Sequence, residues 1–240
     1  MKVAMMQPTF LPWQGYFELI YQADCFIFLD DFQFSVQSYH QRNRLFVNRD
    51  QVDWYTIPVK KSNVFGVSLN STNFDESKNW RKKLLTRLQQ NYSKTSFYKD
   101  IYPLVSEIIA EEVNNLSTLN INLIKGFVKL FGWDVEWKLS SSLPTEAVRS
   151  ERVLELLRWC GASRYYSSGG ALEYMKEDGV FPVADVEVLF QRFHTESYPQ
   201  RNSSNGFIPS LSALDALFNV GPAETARLIT NKDNQWDIWK

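Results

Sequence analysis

KVAMMQPTFLPWQGYFELIYQADCFIFLDD, Lys2 to Asp31, is the stretch that decides the fold. Lys2–Met6 is short and apolar, as a buried strand is. Pro8 and Pro12 each remove a backbone donor and restrict the residue before them, which excludes helix in the turn that follows. After Gly15 the apolar residues Phe17, Leu19, Ile20 and Ala23 mark a short helix. Cys25–Leu29 is a continuous apolar strand that ends in Asp30-Asp31. Strand, turn, helix and strand form a βαβ unit, and unbroken apolar strands suit a parallel sheet covered on both faces. The fold class expected is α/β: a Rossmann-like, mostly parallel sheet.

Further along, Phe32–Arg44 is polar, aromatic and locally basic, and Val52–Val59 alternates as an edge strand or strand end carrying Pro58. Three helices are predicted next: Asp75–Tyr92 with Asn73 as its cap, Tyr102–Val113, and Leu119–Phe131 closed by Gly132. Trp133–Leu139 alternates like a strand. Ser150–Cys160 puts Val153, Leu156, Leu157 and Cys160 on one helical face, with Ser150 as cap and Gly161 as stop. A strand at Tyr165-Tyr166 runs into a glycine turn and a short helix. Strands are predicted at Val180–Val183 and Val186–Phe190. The tail reads as a helix over Leu211–Phe218, opened by Ser210 or Ser212, and a last helix near Ala223–Ile229 with Pro222 in its first turn. One α/β domain over residues 1–240 results, with a mainly helical subdomain at about 73–131.

The chain of 240 residues is 44% hydrophobic and carries 26 basic against 27 acidic side chains. A net charge of −1 gives no global field for nucleic acid, and no polybasic tract suits a membrane surface. The two cysteines, Cys25 and Cys160, make neither a disulfide framework nor a zinc site. The start of the chain is too short in its apolar run for a signal peptide, and no segment is long enough to span a membrane. A cytoplasmic protein is expected, with no membrane insertion and no metal centre.

In an open parallel sheet ligands bind beyond the carboxyl ends of the strands. The turn after the first strand lies there. Trp13 can stack on a planar ring, and Gln7 and Gln14 can hydrogen-bond. The same turn also reads as a structural corner, since two prolines already make it rigid. Asp30 and Asp31 end the second strand at that edge, as a base, a metal ligand or ordinary turn residues. In His40–Arg44 (HQRNR), Arg42 and Arg44 suit bidentate phosphate binding, and Asn43 can reach sugar or base. His40 has the ordinary pKa of a general base. Tyr166–Gly170 (YSSGG) offers Ser168, Gly169 and backbone N–H groups to a phosphate, without a Walker pattern. Asp215 lies inside an apolar helix and needs partners if buried.

Five pieces in order carry a resemblance: QPTFLPWQGYF, LDDFQF, the RNR triplet, ERVLELLRWCGASRYYSSG, and the YPQ…GFIPSLSALDALFN tail. Together, from Gln7 to about Gly221, they resemble the WbqC-like family. The helical middle is similar more loosely. The resemblance implies a place in bacterial surface-polysaccharide biosynthesis and action on a nucleotide-linked amino sugar. It implies transfer of an acyl or aminoacyl group, with a thioester on a carrier protein or coenzyme A as donor and no tightly bound cofactor. Within that expectation Asp30, Asp31 and His40 are the base candidates. Backbone N–H groups near Gly15 or Gly169 would hold an oxyanion, Arg42 and Arg44 the diphosphate, and Trp13 or Tyr16 the base or sugar. Gln7, Gln33, Asn43 and Ser168 complete the expected binding set.

Leu11–Ile20 (LPWQGYFELI) is also distantly similar to the HxGH signature of nucleotidylyltransferases. Pro12 and Tyr16 stand at its histidine positions, and only Gly15 matches. A proline cannot hold a transferring phosphate and a tyrosine donates one hydrogen bond, so this similarity bears on the fold and not on nucleotidyl transfer. A nucleotidylyltransferase-like enzyme and a non-catalytic nucleotide-sugar binding protein are the alternatives.

Overall fold

A computed structural model describes residues 1–60 and 66–239. Its strands are β1 (Lys2–Met6), β2 (Cys25–Phe28), β3 (Arg42–Asn48), β4 (Gln51–Thr56), β5 (Glu136–Leu139), β6 (Arg164–Ser167), β7 (Glu187–Arg192) and β8 (Gln235–Ile238). Its α-helices are α1 (Gln14–Gln22), α2 (Trp80–Tyr92), α3 (Tyr98–Ala110), α4 (Leu116–Phe131), α5 (Arg149–Trp159), α6 (Leu172–Asp178) and α7 (Ala213–Ile229).

The main sheet has the order β5-β2-β1-β6-β7-β8. All of its pairings are parallel except that of β8 with β7. This is the Rossmann-like α/β arrangement expected from Lys2–Asp31. Side chains alternate between its faces. Ala4, Phe26, Phe28 and Tyr166 face a core built with α1, α4 and α7. Val3, Met5, Cys25, Ile27 and Tyr165 face a second core under α5 and α6. From β1 the chain steps outward to β2 and β5, then crosses to the other side for β6 and β7. The strand order therefore reverses between β1 and β6. No helix among the described residues is long and apolar enough to cross a membrane.

Between β2 and β5 lie the β3–β4 hairpin and α2–α4. These helices share one continuous core with α1 and α7. Gly132 ends α4 in the left-handed conformation at φ +72°, as a glycine after a helix should.

Several local expectations are corrected. Arg42–Asn48 is a strand paired antiparallel with β4; Asn43 and Leu45 point inward and Arg42 and Arg44 outward, and the polar Asn43 masked that alternation. Val180–Val183 is no strand and makes a single bridge, Val183 with Val186; Pro182 denies it a ladder donor. The edge strand β8 lies in a tail that reads as polar. α2 starts after Asn79, not near Asn73, because a 3₁₀ turn occupies Glu76–Lys78. α3 begins at Tyr98 and accommodates Pro103. The two tail helices run together across a kink at Gly221, where φ is +80°. There a side chain would meet the Phe97 ring at 2.6 Å. Ser150 lies within the first turn of α5 and does not cap it. Its N–H and hydroxyl both donate to Asp178 of α6, at 3.2 and 2.7 Å.

Candidate functional site

A cavity of about 470 Å³ opens at the carboxyl ends of β1 and β6. That is the topological switch point of the sheet, where open α/β folds bind ligands. Met6 and Gln7 line it from β1, Leu29 and Phe32 from the end of β2, Ser167, Ser168 and Gly170 from β6 and its turn, and Arg149 from α5. A second cavity, of about 610 Å³, shares Phe32 and Arg149 and adds Asp31, Gln33, Thr145 and Arg152. Two adjoining compartments therefore lie along one sheet edge.

The turn between β1 and α1 is non-repetitive and largely buried, so its backbone groups need partners from elsewhere. They have them. The Gln7 carbonyl accepts from the Tyr16 hydroxyl (3.2 Å) and the Pro8 carbonyl from Asn120 Nδ2 (3.0 Å). Asn43 Nδ2 donates to the carbonyls of Phe10 (3.2 Å) and Leu11 (2.8 Å), which holds Leu11 at φ +43°. Phe10 N donates to Tyr39 O, and the Pro12 carbonyl accepts from Ala213 N. Phe10, Leu11 and Tyr16 are buried. Trp13 packs edge-on against Phe193 and folds over Gly15, where a Cβ would sit 2.4 Å from the indole. Trp13, Gly15, Tyr16 and Asn43 thus build a packed corner, and of the turn's polar side chains Gln7 is the one that lines the crevice. Gly15→Ala is expected to lose about 1–3 kcal/mol, the usual cost of overpacking. A denaturant titration checks this, and an unchanged midpoint would contradict the packing.

Gln7 is held by His40. Ser35 N donates to His40 Nδ1 at 3.2 Å, so Nδ1 is the bare nitrogen and the ring proton sits on Nε2. Nε2 then donates to Gln7 Oε1 at 2.8 Å. The Gln7 oxygen is occupied, and its amide N–H groups are left to donate at the crevice wall. The lone pair that a general base would use is turned to a backbone N–H. His40 therefore orients Gln7. Burial lowers the His40 pKa to about 4, so the ring is neutral at pH 7. A depressed pKa gives stability that is complete above the unfolded value near 6.5 and is lost as pH falls through about 4. Relative to His40→Gln, the wild type should lose on the order of 3 kcal/mol between those limits. Urea unfolding at neutral and acid pH measures it, and an equal difference at both would rule it out.

The Asp30 carboxylate is buried and fastened to the turn after β5. It accepts from Ser141 N (3.0 Å), Ser141 Oγ (2.7 Å) and Ser140 Oγ (3.2 Å), and from Asn70 Nδ2. Asp31 accepts from Ser140 Oγ and pairs with Arg152 Nη2 at 3.2 Å. Asp30 ties β2 to the β5 turn, and Asp31 lines the second compartment with Gln33.

Arg42 and Arg44 lie on the β3–β4 hairpin and line neither compartment. Arg42 stacks on Trp54 at 4.2 Å, and Arg44 donates to Ser210 O. The arginines of the crevice are Arg149 and Arg152. Arg149 holds φ +54°, rare for a non-glycine residue, with its guanidinium on Asp178 at 2.7 Å. Arg149 stands just before the helix expected at Ser150–Cys160, and Arg152 lies within it. The preceding strand β5 stops at Leu139, so no neighbouring strand end marks either arginine as a site residue in the sequence. Ser168 lines the crevice, whereas Gly169 lets the β6 turn approach Gln191 O, which a Cβ would meet at 2.8 Å. Sequence reading also passed over Glu18, buried on α1. It accepts from Gln191 Nε2 at 2.6 Å, and burial raises its pKa to about 7.

Fold and crevice define a Rossmann-like α/β protein with a crevice at the switch point of its sheet. The chain matches the WbqC-like protein family over residues 7–227 and belongs to it. It is 32% identical over 224 residues to the uncharacterized protein Rv1507c of Mycobacterium tuberculosis, covering 92% of this chain and 94% of that one. No solved structure matches it.

Proposed function

We propose that the protein is a transferase that places an acyl or aminoacyl group on the amine of a nucleotide-linked sugar, bound in the crevice between β1 and β6. One observation carries this reading: a neutral amide donor, Gln7, held rigidly by His40 at the ligand edge of a nucleotide-binding type of sheet. Attack of a neutral sugar amine on a thioester forms the C–N bond through a tetrahedral oxyanion. The C–S bond then breaks, and the proton lost by nitrogen ends on the departing thiol. Such a reaction needs alignment and hydrogen-bond donors where the negative charge develops. Gln7 N–H supplies such a donor, and Ser168 a second polar contact. Arg149 and Arg152, each paired with a carboxylate, Asp178 and Asp31, are the guanidinium groups within reach of a diphosphate beside it.

The test is a thermal-shift panel of nucleotide-linked amino sugars, nucleoside triphosphates with Mg²⁺, and acyl thioesters, followed by mass spectrometry of the best pair. A raised melting temperature with an amino-sugar nucleotide is expected. The sugar should then gain one acyl group as one equivalent of thiol is released. Stabilisation by a nucleoside triphosphate with Mg²⁺ alone, with release of pyrophosphate, would replace this reading by nucleotidyl transfer.

A further inference from the structure

The near-zero net charge hides a local excess. Residues 78–99 contain seven basic side chains, Lys78, Arg81, Lys82, Lys83, Arg87, Lys94 and Lys99, and no acidic one. Two are used internally. Arg81 pairs with Glu76 and donates to carbonyls after α3. Arg87 pairs with Asp53 at 3.5 Å and stacks on Tyr55. Lys78, Lys82, Lys83, Lys94 and Lys99 are exposed, and none forms an ion pair among the described residues. A groove of about 330 Å³ runs between α2 and β4. Its floor is Trp54, Trp80, Leu84 and Pro58, and its rim holds Lys78 and Lys83.

We propose that this face of α2 docks a small acidic protein, the one that carries the acyl thioester. The partner's charge follows from the unpaired lysines on the rim. The aromatic floor suits one apolar anchor side chain from the same partner, the usual build of an interface centre. A chain of side-chain contacts leads from the groove floor toward Gln7. Trp54 packs edge-on against Tyr39 at 5.7 Å, and the next residue, His40, holds Gln7. This inference rests on the transferase reading, because only a carried donor requires a docking face for its carrier.

The charge reversal K82E/K83E tests it, since both side chains are exposed, lie outside the crevice and accept glutamate in a helix without strain. The probes are a purified bacterial acyl carrier protein, acylated and unacylated, and a single-stranded RNA of similar charge. Wild type should bind the carrier protein with an affinity that falls with salt, and the variant about tenfold to a hundredfold more weakly. Melting temperature, the shift given by an amino-sugar nucleotide, and turnover with a coenzyme A thioester should be unchanged. Equal carrier binding by both proteins overturns the docking face while leaving the transferase reading in place. Tighter binding of RNA than of carrier protein to the wild type overturns it as well. Loss of the amino-sugar response in both proteins, with carrier binding still sensitive to charge, would remove the transferase reading alone.

Discussion

Asp215→Ala should lower the free energy of unfolding by on the order of 4 kcal/mol, the largest effect on stability expected of any single substitution considered. The Asp215 carboxylate is fully buried and accepts from Tyr92 Oη (2.9 Å), Tyr198 Oη (2.8 Å) and Gln200 Nε2 (3.0 Å). Tyr92 Oη in turn accepts from Phe46 N at 3.0 Å. One carboxylate thus joins α7 to α2, the β3 strand and the segment around Tyr198. Alanine would leave the Tyr92 and Tyr198 hydroxyls and one N–H of Gln200, whose amide still donates to Ile208 O, without that acceptor, each loss costing about 1–3 kcal/mol before relaxation. For a chain of this size the melting temperature should fall by about 10 °C. Asp215→Asn keeps one acceptor oxygen and should lose less. The pH dependence has a definite sign. Burial, partly offset by those hydrogen bonds, raises the Asp215 pKa to about 6. A raised pKa gives stability that is complete below the unfolded value near 3.8 and is lost as pH rises through about 6. The deficit of Asp215→Asn relative to wild type should therefore widen as pH is lowered from 7 toward 4. A constant deficit, or an alanine variant within about 1 kcal/mol of wild type, would show that the carboxylate is not the hub described.

Gln7→Ala carries the largest effect expected on activity. If its amide meets the developing oxyanion, turnover should fall by about 10²–10³-fold, the loss typical of one such donor. Amino-sugar nucleotide affinity should change little, because the interaction forms mainly in the transition state. His40→Ala should lower turnover through the same group, by freeing Gln7 to rotate. Two residues acting as one unit are not additive, so the double variant should be no slower than Gln7→Ala. Steady-state rates of the four proteins measure this. Additive losses would separate His40 from Gln7 and return it to an independent role.

The centre of the sheet was legible because β1 and β2 are apolar runs and the crossover between them is marked by prolines and a glycine. β3 was not, because Asn43 occupies an inward position that pattern reading assigns to an apolar residue. It faces inward to satisfy the carbonyls of Phe10 and Leu11, a partnership 32 residues away that local sequence does not display. The crevice was half legible. Gln7, Gln33, Asp31 and Ser168 follow from strand ends and line the two compartments. Arg149 and Arg152 come from a helix that only the return of the chain to β1 brings near. His40 was visible as a rare histidine, but its tautomer depends on a backbone N–H five residues away. Asp215 stood out in sequence as a carboxylate among leucines, and its partners required the fold.

The placement of β1 sets a schedule for the ribosome. Val3 pairs with Cys25 on one side and with Tyr165 on the other. At about 5–20 residues per second, the first neighbour follows within seconds, while the second is roughly ten to thirty seconds away. Through that interval the apolar strand β1 keeps one edge without a partner. Chaperone binding to β1 should therefore persist until β6 has left the exit tunnel and the sheet can close.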